Sequence, residues 1–524
     1  MAGDRPNPDW KPKYNPWLIA VVVAIASFME VLDTSICNVA LPHIAGNLGA
    51  SQDQSTWVLT TYLVANAIVL PITGWISSAM GRKRFFMLCI VLFTASSLLC
   101  GLSPSLPVLL LARAIQGAGG GGLQPMSQAI MTDSFPPNKR AYGFALFGIT
   151  ALVAPALGPI LGGWITDNYS WRWIFFINLP VGVLVMGLVF RYVEDPPFLR
   201  RFKPGEMRFD TVGFSLLVLG VSALQIFLDK GQEDDWFGSS FIAALVITSV
   251  VCLIAMAVWE WRQKQPIVDV KLFRMINFSS ACVIMFIAGS IAFSSIVLMP
   301  QFLQILMGYS AQQAGIVVSA GAAVMLVTMP VVAGLTTKFP AKYLIAAGWF
   351  LTAAGLFFST QLLSPNVSFG TACFVMMLQF APLGLIFVPA ITVSFFGVPQ
   401  NRTDAVSGLT NFARNIGSSV GASLVQTILA RRMQFHLVRI TDRFSPGSPA
   451  LTTFFHTLRA RSGGSPATQA TGMALIYQGL MAQAATLSYL DAYVVLAAGA
   501  AAMFFLSFLL KSNNPKAAEQ VSTH

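Results

Sequence analysis

The sequence predicts an all-α polytopic membrane protein whose fourteen hydrophobic runs of spanning length are its transmembrane helices. Three observations carry that expectation. Hydrophobic residues make up 55% of the 524-residue chain and charged residues only 10%, at a mean hydropathy of +0.68, which leaves too little polar surface to coat a water-soluble globule. The apolar residues come in continuous runs long enough to cross about 30 Å of hydrocarbon, not in the short alternating segments of a membrane barrel. Lysine and arginine collect in alternate connections between the runs, the pattern that orients a helix bundle in its membrane.

In chain order the first eight spans are read at 17–41, 55–79, 85–103, 107–131, 143–166, 174–193, 209–228 and 239–260. Six more follow at 277–305, 314–336, 343–362, 370–396, 405–430 and 489–511. The first run is too long and too poor in cleavage signals for a removable signal peptide, so it stays as the first span. With Met1 cytoplasmic, the inside connections carry Arg82, Lys83 and Arg84, then Lys139 and Arg140, then Arg191, Arg200, Arg201, Lys203 and Arg208. Arg262, Lys264, Lys271 and Arg274 follow, and later inside segments add Lys338, Lys342, Arg402, Lys511 and Lys516. The outside connections through the twelfth span offer only Arg172 and Lys230. An even number of spans with both termini cytoplasmic follows. The stretch from Arg431 to Asp491 carries several arginines, but long exported segments escape the rule, and it is placed outside. Turn signals at 445–448 and 462–466 mark its tip, and the run from Gly472 to Leu487 is expected to extend the last helix beyond the membrane.

The net charge of +11 is spread in small groups between spans, which argues for membrane orientation and against a nucleic-acid partner. All six cysteines, Cys37, Cys89, Cys100, Cys252, Cys282 and Cys373, fall within expected spans without metal-ligand spacing, as packing residues do. No phosphate-binding Gly-x-x-x-x-Gly-Lys-Ser/Thr loop is present, so energy must come from a gradient and no cofactor is expected. A proton moving down about 100 mV supplies roughly 2.3 kcal/mol.

The chemistry concentrates on a few polar residues in apolar surroundings. Glu30 and Asp33, three apart on the first span, share one face. A carboxylate near the bilayer centre costs about 2.5–3.5 kcal/mol on insertion scales and normally marks a functional path. Two such groups in a partly dry cavity resist being ionised together, which suits proton exchange. Arg113 on the fourth span, with Gln116 beside it, needs an anionic partner, and the two acids are the obvious ones. Gly117 and Gly121, like Gly158 and Gly162 on the fifth span, are small-xxx-small pairs that let helices approach, and Pro155 and Pro159 bend the fifth. The thirteenth span carries Asn411, Arg414 and Asn415, then Gly417 and Gly421; Arg414 reads as an anion contact or as a structural pair. The four histidines lie outside the spans, and none is proposed as a proton shuttle.

At these residues the chain resembles the major facilitator superfamily, and within it the fourteen-helix EmrB/QacA drug:proton antiporters. Residues 32–42, Leu-Asp-Thr-Ser-Ile-Cys-Asn-Val-Ala-Leu-Pro, resemble the family's first-helix motif, in which the acid matching Asp33 is implicated in proton coupling. Arg113 to Gly120 resembles the fourth-helix motif, and Gly158-Pro159 with Gly162-Gly163 the antiporter motif. Gly74 to Arg84, with Gly81 and Arg82, resembles the gating loop, but Ser78 stands where the family usually has Asp, which departs from the charge relay attributed to that loop. Residues 170–175 and 178–180 resemble the subfamily's entry to the sixth helix, and 224–237 are similar to the EmrB branch, whose members work with a periplasmic adaptor and an outer-membrane channel.

The resemblance implies two six-helix bundles, here 1–205 and 271–524, joined by two linker helices within 206–270, with an outside loop at about 431–488. It implies a cavity between the bundles lined by helices 1, 4, 9 and 12, which makes Gln116, Gln124, Gln304, Met376, Gln379 and Phe380 expected substrate contacts. The expected function is proton-coupled multidrug efflux across the inner membrane by alternating access, with Asp33, Glu30 and Arg113 carrying the coupling. The alternatives are a dedicated exporter of one metabolite, fatty acid or siderophore, and a membrane receptor that transports nothing.

Overall fold

The computed structural model describes residues 12–197, 209–442, 453 and 466–509. Helices α1 (Pro16–Leu48), α2 (Gln52–Met80) and α3 (Arg82–Leu102) each cross in one piece. The fourth crossing is split into α4 (Leu106–Gly120) and α5 (Leu123–Ser134), and α6 (Arg140–Asn168) is the fifth. The short α7 (Trp173–Phe176) leads into α8 (Asn178–Tyr192), followed by α9 (Thr211–Lys230) and α10 (Ser240–Arg262). The second half holds α11 (Ile276–Gln301), α12 (Ala311–Lys338), α13 (Ala341–Leu362), a split crossing α14 (Phe369–Phe380) and α15 (Gly384–Ser394), α16 (Thr403–Asp442) and α17 (Pro466–Leu506). Among the described residues, twelve stretches are long and apolar enough to cross a membrane by themselves. The glycine-broken fourth crossing and α16, with its polar extension, complete the fourteen positions read as spans.

Local chemistry explains the boundaries. Ser51 caps α2 and Ser310 caps α12, each in a reciprocal capping box with a glutamine three residues on. These are the second helices of the two halves. The fourth crossing breaks at a run of four glycines, Gly119 to Gly122, and its counterpart in the second half breaks at Ala381–Leu383. Interrupted helices at corresponding places in two repeats point to the functional site of a transporter. After Pro300, α11 passes into a π-helical turn over Phe302–Leu306.

The packing repeats between halves. In the first, α6 lies along α1; in the second, α16 lies along α11. Each also reaches across to the opposite bundle, α6 against α12 and α16 against α2, so these two contacts form the seam between bundles. Pro159 has no N–H for the carbonyl of Pro155, and Ser35 Oγ of α1 donates to that oxygen at 2.9 Å. At the next residue, Ser319 Oγ of α12 donates to the Ala156 carbonyl at 3.2 Å. The proline segment of α6 is thus tied to its own bundle and to the other.

Helices α9 and α10 pack on one another outside the two bundles, and α9 touches both α2 and α16. Its C-terminal end is fastened to α2, where Thr60 Oγ1 donates to Asp229 and Lys230 Nζ donates to Thr56 Oγ1 at 2.5 Å. Gln225 Nε2 donates to Ser419 Oγ of α16 at 2.8 Å. Many large apolar side chains stay exposed, among them Phe190, Ile247, Val327 and Phe505, as the lipid face of a bundle requires.

Within the stretch read as a loop at about 431–488, the described residues are helical. Helix α16 continues to Asp442 and α17 starts at Pro466, a residue suited to the first position of a helix. Arg432 and His436, one turn apart, both meet Asp491 Oδ2 of α17, at 2.5 and 2.6 Å. Scoring apolar runs measures membrane thickness, and this polar helix pair extends beyond it. The turn signal at 445–448 and that at 462–466, up to Ser465, lie outside the described residues.

The glycines fall into two kinds. A Cβ on Gly117 would run into the Tyr62 carbonyl, and one on Gly121 would come within 2.7 Å of the Asn66 carbonyl, so α4 rides directly on the α2 backbone. A Cβ on Gly163 meets nothing within 4 Å. Gly117→Ala is therefore expected to destabilise the detergent-solubilised protein by about 1–3 kcal/mol through overpacking. Gly163→Ala is expected to leave stability within about 0.5 kcal/mol. Differential scanning fluorimetry of the two variants checks both; equal melting temperatures would contradict the packing assignment.

Candidate functional site

The two acids of α1 end in different surroundings. Asp33, 2% exposed, accepts from Arg113 Nη1 at 2.7 Å on Oδ2, and from Asn178 Nδ2 at 2.6 Å and Gln116 Nε2 at 3.1 Å on Oδ1. Arg113, 0% exposed, also donates to Gln116 Oε1 at 2.7 Å and to the Val58 carbonyl at 3.1 Å. Its guanidinium lies 4.3 Å over the Tyr62 ring, where the negative π face adds to the attraction. Every partner in this set comes from the first bundle.

Glu30 has no cation beside it. Its Oε1 accepts from Tyr62 Oη at 3.0 Å and from Asn66 Nδ2 at 3.1 Å, and its Oε2 accepts from Gln124 Nε2. The shell then crosses the seam: Arg414 Nη2 of α16 donates to Gln124 Oε1, and Asn415 Nδ2 donates to Asn66 Oδ1 at 3.4 Å. A further amide pair, Asn411 Nδ2 to Gln128 Oε1 at 2.8 Å, joins α16 to α5. The glycine break places Gln124 where it bridges the carboxylate and the guanidinium. A Cβ on Gly120 would fall 2.5 Å from Tyr62 Oη and 3.2 Å from Glu30 Cγ, so only a bare backbone fits there.

At one end of the seam sits a buried ionic latch. Arg82, 1% exposed, pairs with Asp133 at the end of α5 and through Nε with Asp404 of α16 at 2.6 Å. Its Nη2 donates to Thr403 Oγ1 at 2.5 Å, and Ser77 Oγ donates to Asp404. Ser78 donates within its own helix, to the Gly74 carbonyl at 2.8 Å. Asp404 of the opposite bundle thus meets both Ser77 and Arg82, and Ser78 takes no part. Gly74 permits the approach, since a Cβ there would lie 2.8 Å from Ala405 Cα; Gly81, at φ 89°, turns the chain from α2 into α3.

Residues 23–422 match the Major Facilitator Superfamily. The chain belongs to that superfamily. It is 36% identical over 482 residues to the "Multidrug export protein EmrB" of Escherichia coli (strain K12), covering 91% of this chain and 93% of that protein. It is 36% identical over 433 residues to the "Fatty acid resistance protein FarB" of Neisseria gonorrhoeae, covering 83% and 84%. The solved structure of the proton:xylose symporter XylE superposes with a TM-score of 0.56 at 14% identity, covering 96% of this chain and 98% of that one. That likeness speaks to the fold, which is the major facilitator fold of a multi-pass membrane protein.

Within this facilitator the residues read from sequence separate by position. Asp33 and Arg113 meet as expected, whereas Glu30 is held by neutral donors. Gln116 and Gln124, read as substrate contacts, have both ends of their amides engaged by Asp33 with Arg113 and by Glu30 with Arg414. Met376, Gln379 and Phe380 are buried; Gln379 Nε2 donates to Ser359 Oγ at 2.9 Å, and Met376 and Phe380 pack against Gly321. These three lie among helices of the second bundle and do not reach the acids. Gln304 lies exposed in the π-helical turn. On α6, Gly158 faces Ser35 and Gly162 faces the Ile36 carbonyl of α1.

Sequence reasoning missed Asn66, Asn178, Asp133 and Asp404 as site residues. A lone asparagine in an apolar run, as in Val64-Ala65-Asn66-Ala67-Ile68, is a usable signal for the first two. The two aspartates stand at helix ends, where acids are ordinary, and no local pattern separates them. If the latch holds this end shut, Asp404→Asn should open it. A cysteine placed at Thr73, which is 0% exposed and packed against Gly408, should then react with N-ethylmaleimide several-fold faster than in the parent protein. Unchanged reactivity would remove the latch.

Proposed function

We propose that this protein is a multidrug efflux transporter that exports lipophilic and amphipathic small molecules by proton-driven alternating access. The similarity to EmrB over nearly the whole chain supports the substrate class. The observation that carries the mechanism is the pair of buried acids one turn apart on α1, one ion-paired inside its bundle and the other bonded across the seam. The same similarity and the alternation of basic connections support an inner-membrane setting with both termini cytoplasmic, and a periplasmic adaptor with an outer-membrane channel as partners. In that orientation the latch at Arg82 faces the cytoplasm, and the described state is closed on that side.

The cycle follows from the geometry. Opening toward the cytoplasm must separate Arg82 and Asp404, and breaking one side of a buried pair costs about 3–5 kcal/mol unless water or substrate compensates. Substrate entering between the bundles supplies new contacts on the seam. A proton taken from outside as substrate leaves resets the acids, and each proton carried down about 100 mV contributes roughly 2.3 kcal/mol. Arg113 holds Asp33 in place throughout. No step calls for a cofactor.

Asp33→Asn is expected to abolish proton-driven export and substrate-induced proton release while leaving membrane expression intact. Proton release from the purified protein on adding lipophilic cations, weak acids and neutral drugs checks this. Full release by a well-folded Asp33→Asn variant would contradict the mechanism.

A second reading has one observation in its favour. Among the described residues Arg414 has no carboxylate within ion-pairing distance, and FarB is similar over 83% of this chain, so a dedicated exporter of a fatty acid would find its carboxylate site there. A transport screen decides: a single long-chain acid, lost on Arg414→Met and not displaced by drugs, favours it, and broad competition among unrelated drugs favours multidrug export.

A further inference from the structure

The Glu30 shell contains two side-chain amides set in the same sense. Gln124 and Asn66 each turn the N–H₂ end to the carboxylate and the oxygen end to α16, where Arg414 and Asn415 donate. An amide has one donating and one accepting end, so its orientation is fixed by what stands on either side. An ionised carboxylate only accepts, and a guanidinium only donates. The arrangement from Glu30 through Gln124 to Arg414 is satisfied throughout when Glu30 is ionised and the seam is closed.

A proton on Glu30 Oε2 breaks that match. Its O–H then faces the Gln124 N–H₂, donor against donor. Turning the amide restores that bond but points the N–H₂ at the Arg414 guanidinium, which cannot accept. The Asn66 path differs, since Asn415 is itself an amide that can turn its Oδ1 to accept from a turned Asn66, so only the path that ends on a guanidinium is blocked. We propose that Gln124 is a positioning residue that passes the protonation state of Glu30 to Arg414 of α16, so that a proton on Glu30 and a closed seam oppose one another. By linkage the opposition is reciprocal: whatever parts α16 from α5 and α2 makes room for the proton. This rests on the reading under Proposed function that a proton resets both buried acids of α1, Glu30 among them.

The charged and titratable groups about this site are few. They are Asp33 on α1, Tyr62 on α2, Arg113 on α4 and Arg414 on α16, while α5 offers the neutral Gln124. Those of α6 and α8, namely Arg140, Tyr142, Asp167, Arg191 and Tyr192, lie at the helix ends. Arg113 is engaged by Asp33, which leaves Arg414, through the amide, as the cation that senses Glu30. Coupling between sites requires an element with two arrangements that both sites bias. The seam along α16 is that element.

The test uses the full chain in lipid nanodiscs, with genetically encoded spin labels at exposed Asn47 of α1 and Gln434 of α16. Pulsed dipolar spectroscopy reads the distance between bundles across about pH 5–9, and substrate-induced proton release is measured on the same samples. The parent protein should shift between two distance populations with pH. Gln124→Met should reduce the pH-driven population shift at least about threefold and, by the same reciprocity, weaken substrate-induced proton release. Arg414→Met, which removes the far end of the path and leaves the amide in place, should also weaken the shift. A Gln124→Met variant that is folded by scanning fluorimetry and still shifts like the parent overturns the relay. Equal proton release by the parent and Glu30→Gln instead overturns the reading of Glu30 as a proton carrier, and the relay with it.

Discussion

Hydrocarbon offers no water to a charge, so a guanidinium and a carboxylate placed in mid-membrane have to find one another. The Asp33–Arg113 pair is where this chain meets that constraint, and much of the first bundle is arranged to allow it. Arg113 reaches Asp33 only because α4 lies close on α2, and α4 lies close because Gly117 and Gly121 leave the Tyr62 and Asn66 carbonyls room. The same approach sets the Tyr62 ring beneath the guanidinium and the Val58 carbonyl against Nε. Asn178 and Gln116 fill the remaining acceptor positions of the carboxylate. Removing one partner would strand the other in a low dielectric, which is why such groups are costly to disturb and informative to find.

One helical turn away, Glu30 obeys the same constraint by other means. Its donors are neutral, and two of them are shared with the opposite bundle. The first acid is therefore fixed by its bundle, and the second by whether the bundles are together. The two can respond differently to one conformational change even though their α-carbons are close. The Arg82 latch repeats the design at the end of the seam, where one guanidinium is held by an acid from each side.

How much of this was legible in the sequence depends on the scale of the signal. Fourteen crossings were readable because run length and loop charge are long-range averages, and Asp33, Glu30 and Arg113 were readable because charge in an apolar run is rare. The Asp33–Arg113 pairing followed, since a buried cation admits few partners. What stayed hidden was pairing between groups far apart in the chain. Asp404 looks like an ordinary acid in a first helical turn until α16 brings it to Arg82 across more than three hundred residues. Gln124 looked like a cavity residue because its polarity was visible and the orientation of its amide was not. The split of the fourth helix was announced by four glycines, but which backbone they approach is a fact of packing.

On the α16 side the seam runs along one face, Asp404, Gly408, Asn411 and Arg414 with Asn415, at helical spacing, and Ser419 continues the stripe toward α9. That stripe lowers the apolarity of the helix, and it also explains how the bundles can part. An apolar seam would gain strongly on closing in water and lose strongly on opening, leaving one state dominant. Polar pairs exchange partners with water at small net cost, about 0.5–1.5 kcal/mol for a neutral hydrogen bond. Gly74 and Gly408 let the backbones of α2 and α16 come close enough for these pairs to form. The apolar packing between the bundles is left to the other line of the seam, where Met329 of α12 lies against Gly148 of α6 and the rings of Phe144 and Phe395 stack, so the line along α16 is the one that can part at small cost.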